Sequence, residues 1–288
     1  MRAHLPPHQR GFTIVEAVVV IVIIGIIGAM VAVFIKLPVR SYIDSVARAE
    51  AADLADNTLR RLTRDLRLAL PNSVRTNGSA IEFIETKAGM RYLADDDINT
   101  PGGVPLSWTD VSAKTFTVAG AIPTGRHAPA VKDFVVIYNL GDDQDPANAY
   151  ASCVGLCNRA EITAIDKATS KITLDTNPFA AQGLAGMALM SPVKRLHVIT
   201  GPVSYVCDTG TGRLMRYWGY GFNPAQTSKF TGGKSAILAE NIEGCTFSYD
   251  TMASQHSALI GISLTLRVKD DNRSRVTLMH QIHVDNTP

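Results

Sequence analysis

The sequence predicts an α+β protein: a long N-terminal helix, membrane-spanning and then amphipathic, followed by a mainly antiparallel β head. Three observations carry that expectation. Residues 17–35 form an unbroken apolar run. Residues 43–70 repeat apolar side chains at three- to five-residue steps, the period of a helix face. Beyond residue 72 come short β-branched and aromatic runs separated by Gly, Pro, Asn and Asp, the punctuation of antiparallel strands.

The first element is long enough to cross a bilayer. At about 1.5 Å per residue, residues 12–35 traverse a hydrocarbon core of about 30 Å. Arg2 and Arg10 precede the run, so the positive-inside bias places residues 1–11 in the cytoplasm and the chain after Lys36 outside. A secretory signal peptide would have a shorter apolar core and a small-x-small cleavage site, which the ending Phe34-Ile35-Lys36 does not supply. Glu16, at the head of the run, is the anomaly. A carboxylate there costs a few kcal/mol unless something partners it, so its presence points to function. Gly25/Ala29 and Gly28/Ala32 are small-xxx-small pairs that admit close helix approach.

Pro38 is expected to interrupt the helix, with a second helical stretch over residues 41–70. Its apolar face would include Ile43, Val46, Leu54, Leu59, Leu62, Leu66 and Leu70. Asp44/Arg48, Asp56/Arg60 and Arg61/Asp65 stand four apart as opposite charges on its outer surface. Arg60, Arg61, Arg64 and Arg67 read as a solvated face, with a patch for lipid headgroups or an acidic partner as the sharper alternative. Pro71-Asn72 closes the helix.

Residues 80–85 and 89–93 then read as a first hairpin, followed by strands at 115–118 and 134–138. Residues 160–165 and 171–174 form another expected pair. Strands are expected at 196–199, 203–207 and 213–218, and again at 245–249, 260–266 and 276–284. Residues 236–242 read either as a short helix or as an extended lead-in to Cys245.

Little here carries chemistry. The formal charge is +2, and Arg2 and Arg10 account for it, so the remainder is near neutral and no nucleic-acid surface is expected. Four cysteines lie beyond the span, in a compartment expected to be oxidising. They permit three pairings; Cys153–Cys157 across Gly155 and Cys207–Cys245 between distant strands are favoured. A Cys₄ zinc site competes, but it calls for two Cys-x-x-Cys units, and that spacing is absent. His280 and His283 fall on opposite faces of a strand and do not converge on one metal. Asp95–Asp97 and the acids at 142, 143 and 145 lack the spaced ligands of a calcium loop and read as solvated turns. Tyr217, Trp218, Tyr220 and Phe222 read as packing, with surface display for binding glycan, DNA or a partner subunit as the alternative. No Gly-x-Ser-x-Gly elbow and no phosphate loop occurs, so neither an enzyme nor a cofactor is expected; a membrane-tethered hydrolase is the enzymatic rival.

The segment Arg10-Gly11-Phe12-Thr13-Ile14-Val15-Glu16 resembles the class III signal of type IV prepilins and type II secretion pseudopilins. The resemblance implies cleavage by prepilin peptidase between Gly11 and Phe12, N-methylation of Phe12, and a role for Glu16 in filament assembly. It further implies a pilin-like lollipop, with the amphipathic half of the helix packed on the head's sheet. Its parts would be a leader (1–11), a transmembrane or filament-core helix (12–36), an amphipathic periplasmic helix (37–71) and a β-rich head (72–288). Partners would be other major and minor pilins and the inner-membrane assembly platform. The expected course is a single-pass inner-membrane protein with a periplasmic head, then the pilus. Residues 44–48, 64–75, 201–207, 214–220 and 283–288 look like the MshO-type minor pilins of mannose-sensitive haemagglutinin (MSHA) pili, with PilW-type minor pilins and J-type pseudopilins as near relatives. A type II secretion pseudopilin and a tip adhesin or DNA receptor are the alternative functions.

Overall fold

The computed structural model describes residues 11–97, 100–251, 257–269 and 274–288. The leader, apart from Gly11, lies outside the described residues. The chain divides into two compact units, Met1–Glu50 and Ala51–Pro288.

In the first unit the chain is helical from Ile14, the start of α1 (Ile14–Leu66). Its aliphatic side chains are exposed all round, from Val15 to Ile35, as a helix solvated by hydrocarbon requires. Pro38 lies inside α1 and does not end it, contrary to the expected interruption. Proline removes its own N–H and crowds the preceding turn, which bends a helix but leaves the flanking bonds intact. Ile43 and Val46, expected on the packed face, are 55% and 39% exposed.

In the second unit α1 acquires a true apolar stripe. Ala51, Ala55, Leu59, Leu62 and Leu66 are buried at three- and four-residue steps. The helix ends at Leu66 and not near Leu70, because the next backbone groups join the sheet: Leu70 N–H donates to Ile84 O and Thr86 N–H to Leu68 O.

The strands are β1 (Arg75–Thr76), β2 (Ala80–Arg91), β3 (Thr115–Thr117), β4 (Phe134–Val136), β5 (Arg159–Asp166), β6 (Lys171–Leu174), β7 (Arg195–Asp208), β8 (Arg213–Trp218), β9 (Lys234–Glu240), β10 (Ile242–Asp250), β11 (Ser257–Arg267) and β12 (Arg275–Asp285). A short helix, α2 (Pro178–Leu184), follows β6. All strand pairings are antiparallel, and the α+β class is as the sequence predicts. The large sheet runs β1-β2-β7-β4-β5-β6-β3, with β8 and β9 added beside β7; the small sheet runs β10-β11-β12.

Two readings change. Residues 80–93 are not a hairpin: β2 is continuous and absorbs irregularities at Glu85–Ala88 as bulges. Residues 196–207 form one strand, because the Gly201-Pro202 step is accommodated opposite that bulge rather than breaking the chain. Gly201 has φ of 140°, a conformation that a side chain resists. Residues 234–240 settle as strand β9, and α2 went unread.

β7 is the spine. One edge pairs with β2; the other pairs with β4 in its first half and β8 in its second. Each half faces a separate core. The stripe of α1 shares one with Phe83, Tyr205, Leu214 and the inward residues of β11, Ile260, Ile262 and Leu264. Phe116, Ile162, Phe179 and Val198 belong to the other.

Two outcomes follow. Leu62→Ala is expected to cost about 2–5 kcal/mol in denaturant unfolding of the detergent-solubilised chain, and exposed Met279→Ala under about 0.5 kcal/mol. Burial, aided by Arg195, holds the His197 imidazole down to about 4. Its folded value lies below its ordinary 6.5, so its contribution is present above 6.5 and is lost as pH falls toward 4. The unfolding midpoint should therefore drop between pH 6.5 and 5, and His197→Gln should flatten that drop.

Candidate functional site

The described chain opens with Gly11, Phe12 and Thr13 outside the helix and Ile14 as its first residue. Thr13 is the N-cap. Its Oγ1 accepts the Glu16 N–H at 3.2 Å, and its carbonyl accepts Ala17 N–H at 3.1 Å. The spelling Thr-x-x-Glu is that of a capping box, a signal present in the sequence but not read there as one. Only the threonine half of the box is formed. Among the described residues the Glu16 carboxylate makes no hydrogen bond and no ion pair. It sits in the first turn, where the helix dipole favours a negative charge.

Gly11 and Phe12 thus precede the helix and Glu16 lies in its first turn, with Phe12 72% exposed and the aliphatic stretch beginning immediately after. Gly11 and Phe12 stand exposed ahead of the capped helix. A carboxylate freed from its own cap can pair with a cation brought from elsewhere. Added Cβ atoms at Gly25 and Gly28 would meet nothing within 4 Å, so both glycines present open helix surface.

The cysteines lie apart from this site. Cys153–Cys157 and Cys207–Cys245 are disulfides, with Cα–Cα distances of 5.3 and 6.1 Å. The second joins β7 to β10 and so ties the large sheet to the small one.

Other singled-out residues resolve into packing. Asp96 and Asp97 pair with Lys194, and Arg91 donates to Asp97 at 2.8 Å, holding that carboxyl down at about 2. The loop is therefore an ion-pair cluster and not simply a solvated turn. Tyr217 stacks on Phe230 at 4.3 Å, and Phe222 meets Phe134 edge-on at 5.1 Å. Tyr220 donates to Glu82 at 2.7 Å. Glu82 also pairs with buried Arg75 at 2.8 Å, and burial outweighs that partner and raises its carboxyl. Arg75 donates onward to the carbonyls of Asn223 and Pro224, which fastens the aromatic loop. Asp56 pairs with Arg60 as expected, but Asp65 turns inward to Tyr205 at 2.5 Å and Arg216 at 3.4 Å. His280 and His283 are exposed on β12 at positions of opposite parity. Among the described residues no group of three or more His, Cys, Asp or Glu could hold a metal ion.

The N-terminal segment matches the prokaryotic N-terminal methylation motif over residues 6–32. That match supports a type IV pilin-like or pseudopilin protein, and with the apolar helix it fits a membrane-anchored pilin. It implies processing by prepilin peptidase and association with pilins. No curated protein matches the chain, and no solved structure does.

Thr13→Val is expected to remove about 1 kcal/mol of cap stabilisation and to speed amide exchange at Glu16 in micelles. Glu16→Gln, which leaves the threonine contact in place, should exchange as the parent does.

Proposed function

We propose that this chain is a minor pilin of an MSHA-like type IV pilus, non-enzymatic, cut between Gly11 and Phe12 and methylated on Phe12. The motif match, with Gly11 and Phe12 exposed ahead of a capped apolar helix, supports the processing step. The observation that carries the assembly role is the Glu16 carboxylate, without a partner among the described residues, at the head of a lipid-suited helix. In this reading each subunit's Glu16 takes the terminal ammonium of a neighbour and fixes the axial register between helices. The head would face the periplasm until the subunit enters the fibre at the cell surface.

A minor rather than repeated subunit follows from bulk. The second unit spans 51–288 and holds several apolar clusters, and so large a head is hard to repeat along a fibre without steric conflict. Such a subunit suits the tip, where it would prime or cap assembly.

Mass spectrometry of the chain recovered from sheared filaments should find a methylated Phe12 as the first residue. A chain still starting at Met1 would overturn the processing step. Glu16→Gln should be processed and retained in the membrane yet be absent from purified fibres; recovery equal to the parent would overturn the charge-pairing role.

A further inference from the structure

A cationic groove of about 790 Å³ opens in the second unit between α1, the β12 edge and the 3₁₀ turn at Gly125–His127. It is lined by Arg64 in the last turn of α1, Arg67 and Leu68 just beyond it, Arg126 on the facing turn, and Leu278 and Met279 of β12. Asp56 neutralises Arg60. Arg67 and Arg126 have no ion-pair partner among the described residues, and Arg64 reaches only Asp65 at 3.7 Å, a carboxylate already held by Tyr205 and Arg216. The groove therefore holds positive charge that its own walls do not balance. Its apolar lining is open: Met279 is 78% exposed and Leu68 37%.

β12 adds a second feature. It is an edge of the small sheet, pairing only with β11 along its eleven residues. Among the described residues, no backbone hydrogen bond outside that ladder involves residues 276–284. Natural edge strands are usually blunted by proline, bulges, brevity or inward charge. β12 has no proline and no bulge, and its charged residues, Arg275 and Asp285, stand only at its ends. His280 lies opposite Ile262 on the inward-facing row, yet it is exposed, because the groove opens there.

We propose that β12 and this groove receive an extended acidic segment of another polypeptide, added as a further strand. The open edge supplies main-chain recognition, and the groove's apolar lining together with Arg64, Arg67 and Arg126 receives apolar and carboxylate side chains of the segment. Nucleic acid and lipid headgroups satisfy only the charge. They leave the edge unpaired, and the chain as a whole has a net charge of only +2. The surface lies wholly in the second unit and stands whether or not the chain assembles into a fibre.

The full chain in micelles should bind a synthetic decapeptide alternating Glu and Val, with amide exchange slowed at least tenfold at residues 276–284 and unchanged in β10. Arg67→Glu with Arg126→Glu should weaken binding at least tenfold, with the circular dichroism of the parent retained; both side chains are exposed, so folding should survive. A peptide N-methylated at alternate residues, unable to ladder, should lose binding to the same degree. Equal binding of the N-methylated peptide, or of a Lys/Val peptide, overturns the proposal. So does displacement of the acidic peptide by equimolar DNA or by anionic phosphatidylglycerol vesicles.

Discussion

A single helix has to suit two apolar solvents, and the rest of the molecule follows from that constraint. Up to Ile35 its side chains are aliphatic on every face, so no face is reserved for protein. From Ala51 the pattern narrows to a stripe, with Ala51, Ala55, Leu59, Leu62 and Leu66 buried and charged residues between them. The switch in pattern, not a break in the backbone, separates the two units. Ala55, Leu59, Leu62 and Leu66 enter the same buried core as the inward residues of β11.

The head is organised around β7 for a related reason. Two cores must share one sheet, and the long strand spans both by changing partner from β4 to β8 along one edge. The small sheet has no place in the β7 ladder. It is held instead by the core that the α1 stripe also enters, and by the Cys207–Cys245 bond, a type of closure worth about 2–4 kcal/mol. The buried Arg75–Glu82 pair works differently. Breaking it by removing one partner is expected to cost about 3–5 kcal/mol, because a charge would be left alone in the interior. Its return is positional: with Tyr220 it fixes the loop after β8 against β1 and β2.

The helix, the strands after residue 72 and the cysteine pairing were legible because each rests on local periodicity or spacing. The failures share a cause. The supposed turn near residues 86–88 and the supposed break at Gly201-Pro202 each look like an interruption alone. They sit opposite one another in the β2–β7 ladder, and a sequence read one segment at a time cannot see two irregularities that accommodate each other. Asp65 was misread for the same reason, since its partners Tyr205 and Arg216 lie over a hundred residues away. Thr13 is different: its capping signal, Thr-x-x-Glu, is local and legible in the sequence.

That cap bears on the meaning of Glu16. In a complete capping box the glutamate would turn back to the Thr13 N–H and be satisfied within its own chain. Here Thr13 Oγ1 serves the Glu16 N–H alone, and the carboxylate stays available. On the proposed processing, the nearest cation would be the new amine on Phe12, four residues away in the same chain. A charge contact of about 4 Å is worth roughly 4 kcal/mol at an effective dielectric near 20, before desolvation. An intrachain contact would gain that energy in an isolated subunit and leave none to drive association. A neighbour's amine gains it only when two helices stand at the right axial offset, with the open glycine surfaces at Gly25 and Gly28 permitting close approach. On the proposed reading, an acid that the cap leaves free, on a helix that lipid alone would solvate, would make register the quantity that assembly selects.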